Sequence, residues 1–233
     1  MDLNLKKLKD KIEGKEPGEA IKTLCLDFPG QVVFTTSFGL EDQAITHIIC
    51  TNNLPVEIIT LDTGRMYPET YKTFSATLNR YGCNIKVFYP DGAKVEKLLS
   101  TKGPFSFYES VENRKECCRI RKTEPLARAL EGMSVWISGI RSGQSDNRSG
   151  MESMEYDEAR QLIKYYPVFD WSFEEVRKFI DTNNIPYNIL HDKGYPSIGC
   201  EPCTRAVKPG EDFRAGRWWW ESGSTKECGL HSK

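Results

Sequence analysis

Residues 31–61 read QVVFTTSFGLEDQAITHIICTNNLPVEIITL, and the fold class follows from this stretch. QVVFTT (31–36) is a short apolar run rich in β-branched residues, bounded by Pro29-Gly30 and Gly39, which predicts a buried strand. EDQAITHIIC (41–50) predicts a helix and VEIITL (56–61) a second strand. Outward from there, YPETYKTFSATLNRY (67–81) reads as helix and NIKVFY (84–89) as strand. Residues 113–131 form a charged amphipathic helix and SVWISG (134–139) another buried strand. A strand over 161–169 and a helix over 172–183 follow. Toward the N-terminus, Leu3, Leu5, Leu8 and Ile12 recur at helical spacing, and Pro17-Gly18 breaks the helical stretch 3–27 in two. Apolar strands alternating with helices specify an α/β fold with a mostly parallel twisted sheet and helices on both faces. The polar, Gly/Ser-rich segment 140–160 reads as a functional loop. After 190 the periodicity fades into an irregular C-terminal tail. With no internal repeat and no linker, residues 1–233 are expected to form a single domain. Its N-terminal helical segment is 1–30 and its C-terminal arm 205–233.

Composition limits the function. Hydrophobic residues make up 39% and charged residues 28%, as in a globular protein able to bury a core. Lys plus Arg number 32 and Asp plus Glu 33, a formal charge of −1. That balance argues against nucleic-acid or membrane-surface binding by bulk charge, so any anion site is a local cluster. No apolar run is long enough to span a bilayer, and MDLNLKKLKDKIEG lacks the apolar stretch of a signal peptide; the expected location is the cytoplasm.

In a reducing compartment, clustered cysteines point to metal binding or thiol chemistry rather than disulfides. Four of the eight Cys form two tight pairs, Cys117-Cys118 and Cys200/Cys203 in G-C-E-P-C-T. Four converging thiolates would bind zinc or an iron–sulfur cluster, and the adjacent pair favours a cluster; a redox C-x-x-C beside two buried Cys is the plainer alternative. Cys25, Cys50 and Cys83 read as small buried hydrophobes. Cys228, in K-E-C-G-L-H, has Lys226 and His231 nearby to lower its pKa and Gly229 beside it; it is either a nucleophile on an arm or an inert tail thiol.

The stretch Arg114–Lys122 (R-K-E-C-C-R-I-R-K) holds five bases and one acid. It is either a solvated helix face or an anion site beside the thiols, with Arg205, Arg214 and Arg217 near the second pair. Three strand ends carry polar, glycine-containing sequences suited to phosphate: T-T-S-F-G-L-E-D (35–42), L-D-T-G-R (61–65) and S-G-I-R-S-G-Q-S-D-N-R (138–148). Trp218–Trp220 are a packing plug or a docking surface, and His47 is expected to pack on its helix.

Eight segments together resemble the assimilatory adenylyl-sulfate (APS) reductase family, within the wider phosphoadenylyl-sulfate (PAPS) reductase group. They are S-F-G-L-E-D, L-D-T-G-R-M-Y-P-E-T-Y, C-C-R-I-R-K-T-E-P-L, S-G-I-R-S-G-Q-S, Y-P-V-F-D-W-S, G-Y-P-S-I-G-C-E-P-C-T-R, E-D-F-R-A-G-R-W-W-W-E and K-E-C-G-L-H. The resemblance implies a nucleotide-binding domain with the adenine-nucleotide α-hydrolase-like fold. It also implies a [4Fe–4S] cluster on Cys117, Cys118, Cys200 and Cys203. Cys228 would attack the sulfur of APS, AMP would leave, and thioredoxin or a glutaredoxin-like reductant would release sulfite from the S-sulfocysteine. Lys122, Arg214, Arg217 and His231 would join Cys228 in catalysis. Ser37, Phe38, Gly39, Asp62, Thr63, Gly64, Gly139, Arg141 and Arg148 would bind the substrate, whereas Leu40 and Glu41 argue for little. A homo-oligomer is expected. The competing readings are a reductase that takes PAPS or both nucleotides, an ATP-dependent tRNA-thiolating enzyme, and a cluster-based redox sensor. Phe38, at the second position of the loop that reads S-G-G-x-D-S in the thiolating enzymes, speaks against the tRNA reading.

Overall fold

Val32, Val33 and Phe34 are buried in strand β1 (Val32–Thr36), near the middle of a six-stranded sheet. The computed structural model describes residues 2–144 and 150–221. In chain order the elements are α1 (Asp2–Ile12), α2 (Pro17–Asp27), β1, α3 (Leu40–Thr51), β2 (Glu57–Leu61), α4 (Pro68–Tyr81) and β3 (Ile85–Phe88). Then come α5 (Gly92–Lys102), α6 (Val111–Cys118), a π-helical turn (Arg119–Thr123) and α7 (Glu124–Ala129). β4 (Val135–Ile137), β5 (Met154–Asp157), β6 (Leu162–Tyr165) and α8 (Phe173–Thr182) complete the set. The sheet order is β3-β2-β1-β4-β6-β5, with β1–β4 and β4–β6 parallel and β5–β6 antiparallel. The expected α/β class with a mostly parallel sheet holds. Among the described residues no helix is long and apolar enough to cross a membrane.

The chain packs as two units, each assembled from three stretches. Met1–Ile59, Glu69–Lys86 and Gly132–Asn188 make the first, and Thr60–Pro68, Val87–Glu131 and Ile189–Lys233 the second. In the first unit, Leu40 and Ala44 of α3 pack against Val176 and Ile180 of α8 and against Ile185. Helix α8 starts at a capping box: Ser172 Oγ accepts from the Glu175 N–H at 3.1 Å, and the Ser172 N–H donates to the Glu175 carboxylate at 2.7 Å. His47 packs as expected, with Nδ1 2.9 Å from Tyr81 Oη and its ring edge-on to Phe179. In the second unit, Phe107, Cys118, Cys200, Cys203 and Trp218 pack into one buried cluster.

Three local readings change. Helix α5 was not anticipated, although Asp91 caps its start through the Lys94 N–H and Gly103, at φ 77°, ends it. The helix expected over 113–131 starts at Val111, where Ser110 caps the Asn113 N–H, and contains the π turn. The segment 140–160, expected to be a loop, contains β5. Asp157 at the end of β5 is buried and bonds Lys164 and Arg160, so ion pairs add to the pairing with β6 and the burial of Met154 in holding this short strand. Burial alone would raise the Asp157 pKa; the Lys164 and Arg160 hydrogen bonds outweigh it and hold the carboxyl below its usual range.

Ser172→Ala removes the side-chain half of the capping box and is expected to lower the unfolding free energy by about 1 kcal/mol in urea titrations followed by circular dichroism. Ser172→Asp, which keeps an acceptor at the cap, should retain most of it. Equal losses for both variants would show that the cap contributes nothing.

Candidate active site

In the first unit the chain turns sharply where β1 gives way to α3. Phe38 has φ 61°, and its N–H donates to Thr36 Oγ1 at 3.1 Å. Its ring stacks on Phe74 with centroids 4.8 Å apart. The Ser37 N–H and hydroxyl both donate to Asp42 Oδ2 at 2.6 Å. Ser37 therefore shapes the turn through Asp42, and the free backbone N–H groups of the first turn of α3 are what the loop offers an anion. Burial pushes Asp42 up to about 6, with the Ser37 hydrogen bonds opposing and the Glu41 charge adding to the rise. Gly139 is required here, because a Cβ would overlap Asp42 Oδ1 and crowd the backbone N of Asp42. Arg141 donates through Nε to Glu41 at 2.7 Å, with side-chain exposures of 3% and 11%, and its guanidinium lies 5.9 Å from the Phe173 ring.

Sequence reasoning set Glu41 aside, yet it is the carboxylate partner of Arg141. It also passed over Ser138, whose Oγ is buried and has no hydrogen-bond partner among the described residues. An orphaned hydroxyl in the S-G-I-R loop is the kind of group a ligand satisfies.

In the second unit, Asp62, Thr63 and Gly64 form a tight turn. Gly64 has φ 68°, its N–H donates to Asp62 Oδ1 at 2.8 Å, and the Arg65 N–H donates to Thr63 Oγ1 at 3.2 Å. Thr63 O accepts from Arg121 Nη1 at 2.6 Å, and Thr63 Oγ1 accepts from the Cys200 thiol at 3.3 Å. The two cysteine pairs come together here: Cys117, Cys118, Cys200 and Cys203 line one cavity. Phe107 and Trp218 complete its apolar wall, and Arg65, Arg114, Arg121 and Lys122 reach it.

The basic stretch thus divides. Arg114, Arg121 and Lys122 face the thiols, whereas Lys115 and Arg119 are exposed and Arg119 pairs with Glu124. Arg114 is buried in a two-pronged bond to Glu221, Nε and Nη2 each 2.8 Å from a carboxylate oxygen. Arg217 is buried, lies 4.8 Å from the Trp218 ring, and donates to Ser197 Oγ at 3.2 Å; a Cβ at Gly199 would overlap its guanidinium. Arg205 forms two bonds to Glu211, and the Arg214 N–H donates to Asp212. Arg148, Cys228 and His231 lie outside the described residues.

The seven described cysteines are free thiols. Burial would raise the Cys200 pKa, but Lys122, the Thr63 hydrogen bond, Arg217 and Arg121 outweigh it and hold this thiol below its ordinary value. Cys203 is pushed up to about 12 by burial and by Cys200, and burial raises Cys117 against the pull of Arg121 and Arg65. The donor set on the cavity wall is all sulfur, with no carboxylate or imidazole, and cations surround it. That chemistry fits a thiolate-bound metal centre carrying net negative charge. Among the described residues, no three His, Cys, Asp or Glu side chains are arranged to hold a single metal ion.

Asp42 gives a pH signature. Its pKa is about 6 in the folded chain against 3.8 for the free side chain, so its contribution to stability is complete below pH 3.8 and is lost as pH rises through about 6. The difference in unfolding free energy between the parent and Asp42→Asn should change by an amount on the order of 3 kcal/mol between about pH 4 and 6 and then level off. A flat difference across that window would mean that the carboxyl titrates normally.

Residues 31–206 match the phosphoadenosine phosphosulfate reductase domain family. The adenosine 5'-phosphosulfate reductase of Sinorhizobium fredii is 48% identical over 231 residues, 99% of this chain and 92% of that protein. The enzyme of that name from Agrobacterium fabrum is 50% identical over 202 residues, 87% of this chain and 78% of that protein. The crystal structure of phosphoadenylyl-sulfate reductase from Candida auris, a phosphate complex, superposes with a TM-score of 0.75 at 28% identity, covering 87% of this chain and 96% of that one. A matched domain, relatives alike over more than three quarters of their length, and a shared fold lead to one conclusion: the chain belongs to the adenosine 5'-phosphosulfate reductase family of oxidoreductases acting on sulfur.

Proposed function

We propose that this chain reduces APS to sulfite and AMP through an S-sulfocysteine on Cys228, with thioredoxin or a glutaredoxin-like dithiol protein as reductant, in the cytoplasm. The observation that carries the reading is the cavity in which Cys117, Cys118, Cys200 and Cys203 meet Arg121 and Lys122. The relatives favour sulfonucleotide reduction over tRNA thiolation and over a cluster-based sensor.

Adenylate binding is assigned to Ser37, Phe38 and Gly39, with Gly139, Arg141 and Arg148, and to Asp62, Thr63 and Gly64. Arg141 is pre-oriented by Glu41, so it spends little rotamer entropy on meeting an anion. The sulfate end is assigned to Lys122, Arg214 and Arg217. Thiolate and sulfate are both anionic, and cations fixed beforehand lower the cost of bringing them together. The Cys228 thiolate attacks the APS sulfur, the bond from sulfur to the phosphate oxygen breaks, and AMP leaves with the electron pair. His231 and Lys226 favour the thiolate form of Cys228. Cys117, Cys118, Cys200 and Cys203 would hold a [4Fe–4S] cluster, which supplies fixed charge and a cross-link between the two cysteine pairs rather than electrons. Both electrons come from thiols.

A second reading, use of PAPS, is favoured by the family matched over 31–206 and by the Candida auris structure. We place APS first because relatives about half identical to this chain carry that name.

Two experiments test the proposal. The protein incubated with APS and no reductant should gain one SO₃ group on a peptide containing Cys228, and Cys228→Ser should bind APS but release no sulfite. Mass gained on Cys25, Cys50 or Cys83 instead, or turnover by the Ser variant, would sink the assignment. Anaerobically purified protein should contain iron and acid-labile sulfide in equal amounts, and its visible absorption should be lost in Cys200→Ser. Stoichiometric zinc without iron would overturn the cluster.

A further inference from the structure

Seven large hydrophobic side chains are exposed among the described residues, and three of them gather in one place: Phe105 at 60% exposure, Tyr108 at 38% and Trp219 at 47%. Phe105 stacks on Tyr108 with ring centroids 6.3 Å apart, and Tyr108 lies 6.4 Å from Trp219. Trp220 packs against two of them, its ring centroid 4.4 Å from Tyr108 and 5.7 Å from Trp219. Single exposed apolar residues need no explanation, but a contiguous aromatic patch marks an interaction site. The patch is also held in place. Tyr108 Oη donates to Pro202 O at 2.6 Å, and Trp218, the first member of the tryptophan run, is buried under the guanidinium of Arg114. Preformed aromatic anchors bind a partner without the cost of ordering them on contact.

The position of the patch in the chain indicates its occupant. Trp219 and Trp220 immediately precede Glu221, which the buried bond to Arg114 fixes. Glu221 is the last described residue, and Cys228 is seven residues further on. Seven residues span at most about 25 Å, so the Cys228 sulfur stays within that radius of Glu221. A macromolecule that takes sulfite from Cys228 must bring its own thiol inside the same sphere. The exposed aromatics lie at the base of that segment, with Trp219 two residues before Glu221. A reductant also has to leave after each turnover, and a few aromatic anchors suit a transient interface better than an extended groove does.

We propose that Phe105, Tyr108 and Trp219 form the surface on which a thioredoxin-class dithiol protein docks to reduce the Cys228 adduct. The inference rests on the proposed S-sulfocysteine chemistry and names the partner surface for it. In the step served, one thiolate of the partner attacks Cys228 Sγ, the bond to the sulfonate breaks, and sulfite departs with the electron pair. The second partner thiol, deprotonated, attacks the mixed disulfide, returns Cys228 as a thiolate and leaves the partner as its own disulfide. Two electrons pass from the dithiol to the sulfonate sulfur.

The test uses the full-length, cluster-loaded enzyme carrying Trp219→Ala, Phe105→Ala or both, with Leu26→Ala, an exposed residue elsewhere, as control. Sulfite release is measured with thioredoxin recycled by its reductase and, separately, with dithiothreitol. The aromatic variants are expected to raise the half-saturating thioredoxin concentration tenfold or more. Adduct formation from APS and dithiothreitol-driven turnover should stay within twofold of the parent, and Leu26→Ala should match the parent throughout. An unchanged thioredoxin dependence overturns the proposal, as does an equal loss with dithiothreitol, which would mean general damage to the fold. A change of oligomeric state on light scattering would assign the patch to a second copy of the chain instead. A parent enzyme that forms no Cys228 adduct overturns the functional reading, and the docking surface with it.

Discussion

Arg114 is almost completely withdrawn from water, and two 2.8 Å bonds to the largely covered carboxylate of Glu221 make that possible. An ionised guanidinium without such a partner would carry a desolvation penalty of several kcal/mol. The pair joins helix α6, which ends in Cys117 and Cys118, to the end of the tryptophan run more than a hundred residues later. It therefore fixes three things at once: the orientation of the first thiol pair, the burial of Trp218 against the cavity, and the point from which the chain continues toward Cys228. The remaining cations of the stretch then have assigned places. Arg121 is spent partly on Thr63 O, and Lys122 contributes its field to Cys200. The four thiols share one cavity with Arg65, Arg114, Arg121 and Lys122 on its wall, and of the thiols Cys200 is the one that Lys122 and Arg121 help hold below its ordinary pKa.

A comparable economy of space governs the first unit. Asp42 turns its carboxylate back onto Ser37, which bends the chain through the positive φ of Phe38 and frees the start of α3. The carboxylate fits only because residue 139 has no side chain. The neighbouring Glu41 orients Arg141 from the loop after β4. Two adjacent acids on one helix start thus have different tasks, one shaping a turn and the other holding a cation. Their different surroundings, not their chemistry, make the difference.

The division of the chain into two interleaved units bears on how these features arose from the sequence. Each unit is built from three separated stretches. No linker marks a boundary: the chain crosses from one unit to the other within β2, at the start of α4 and within β3, as well as after α7 and ahead of Ile189.

What the sequence by itself determined is local in origin. The apolar runs 31–36, 56–61 and 134–139 announced three strands, because β-branched residues flanked by Gly and Pro have few other options. Helix periods and the two cysteine pairs were legible for the same reason: their meaning lies within a few residues of chain. Tertiary structure alone decided which of the cations in 114–122 face the thiols, that Ser37 serves Asp42, that Glu41 serves Arg141, and that Arg114 meets Glu221. It also made a strand of Met154–Asp157, whose polar residues gain their place from ion pairs with the neighbouring hairpin arm. Each of these depends on partners brought together by strand order and helix packing. Pairings across 100 residues leave no periodic trace in a single sequence, since charge and hydrogen-bonding capacity say what a side chain can bind but not which residue the fold will put beside it.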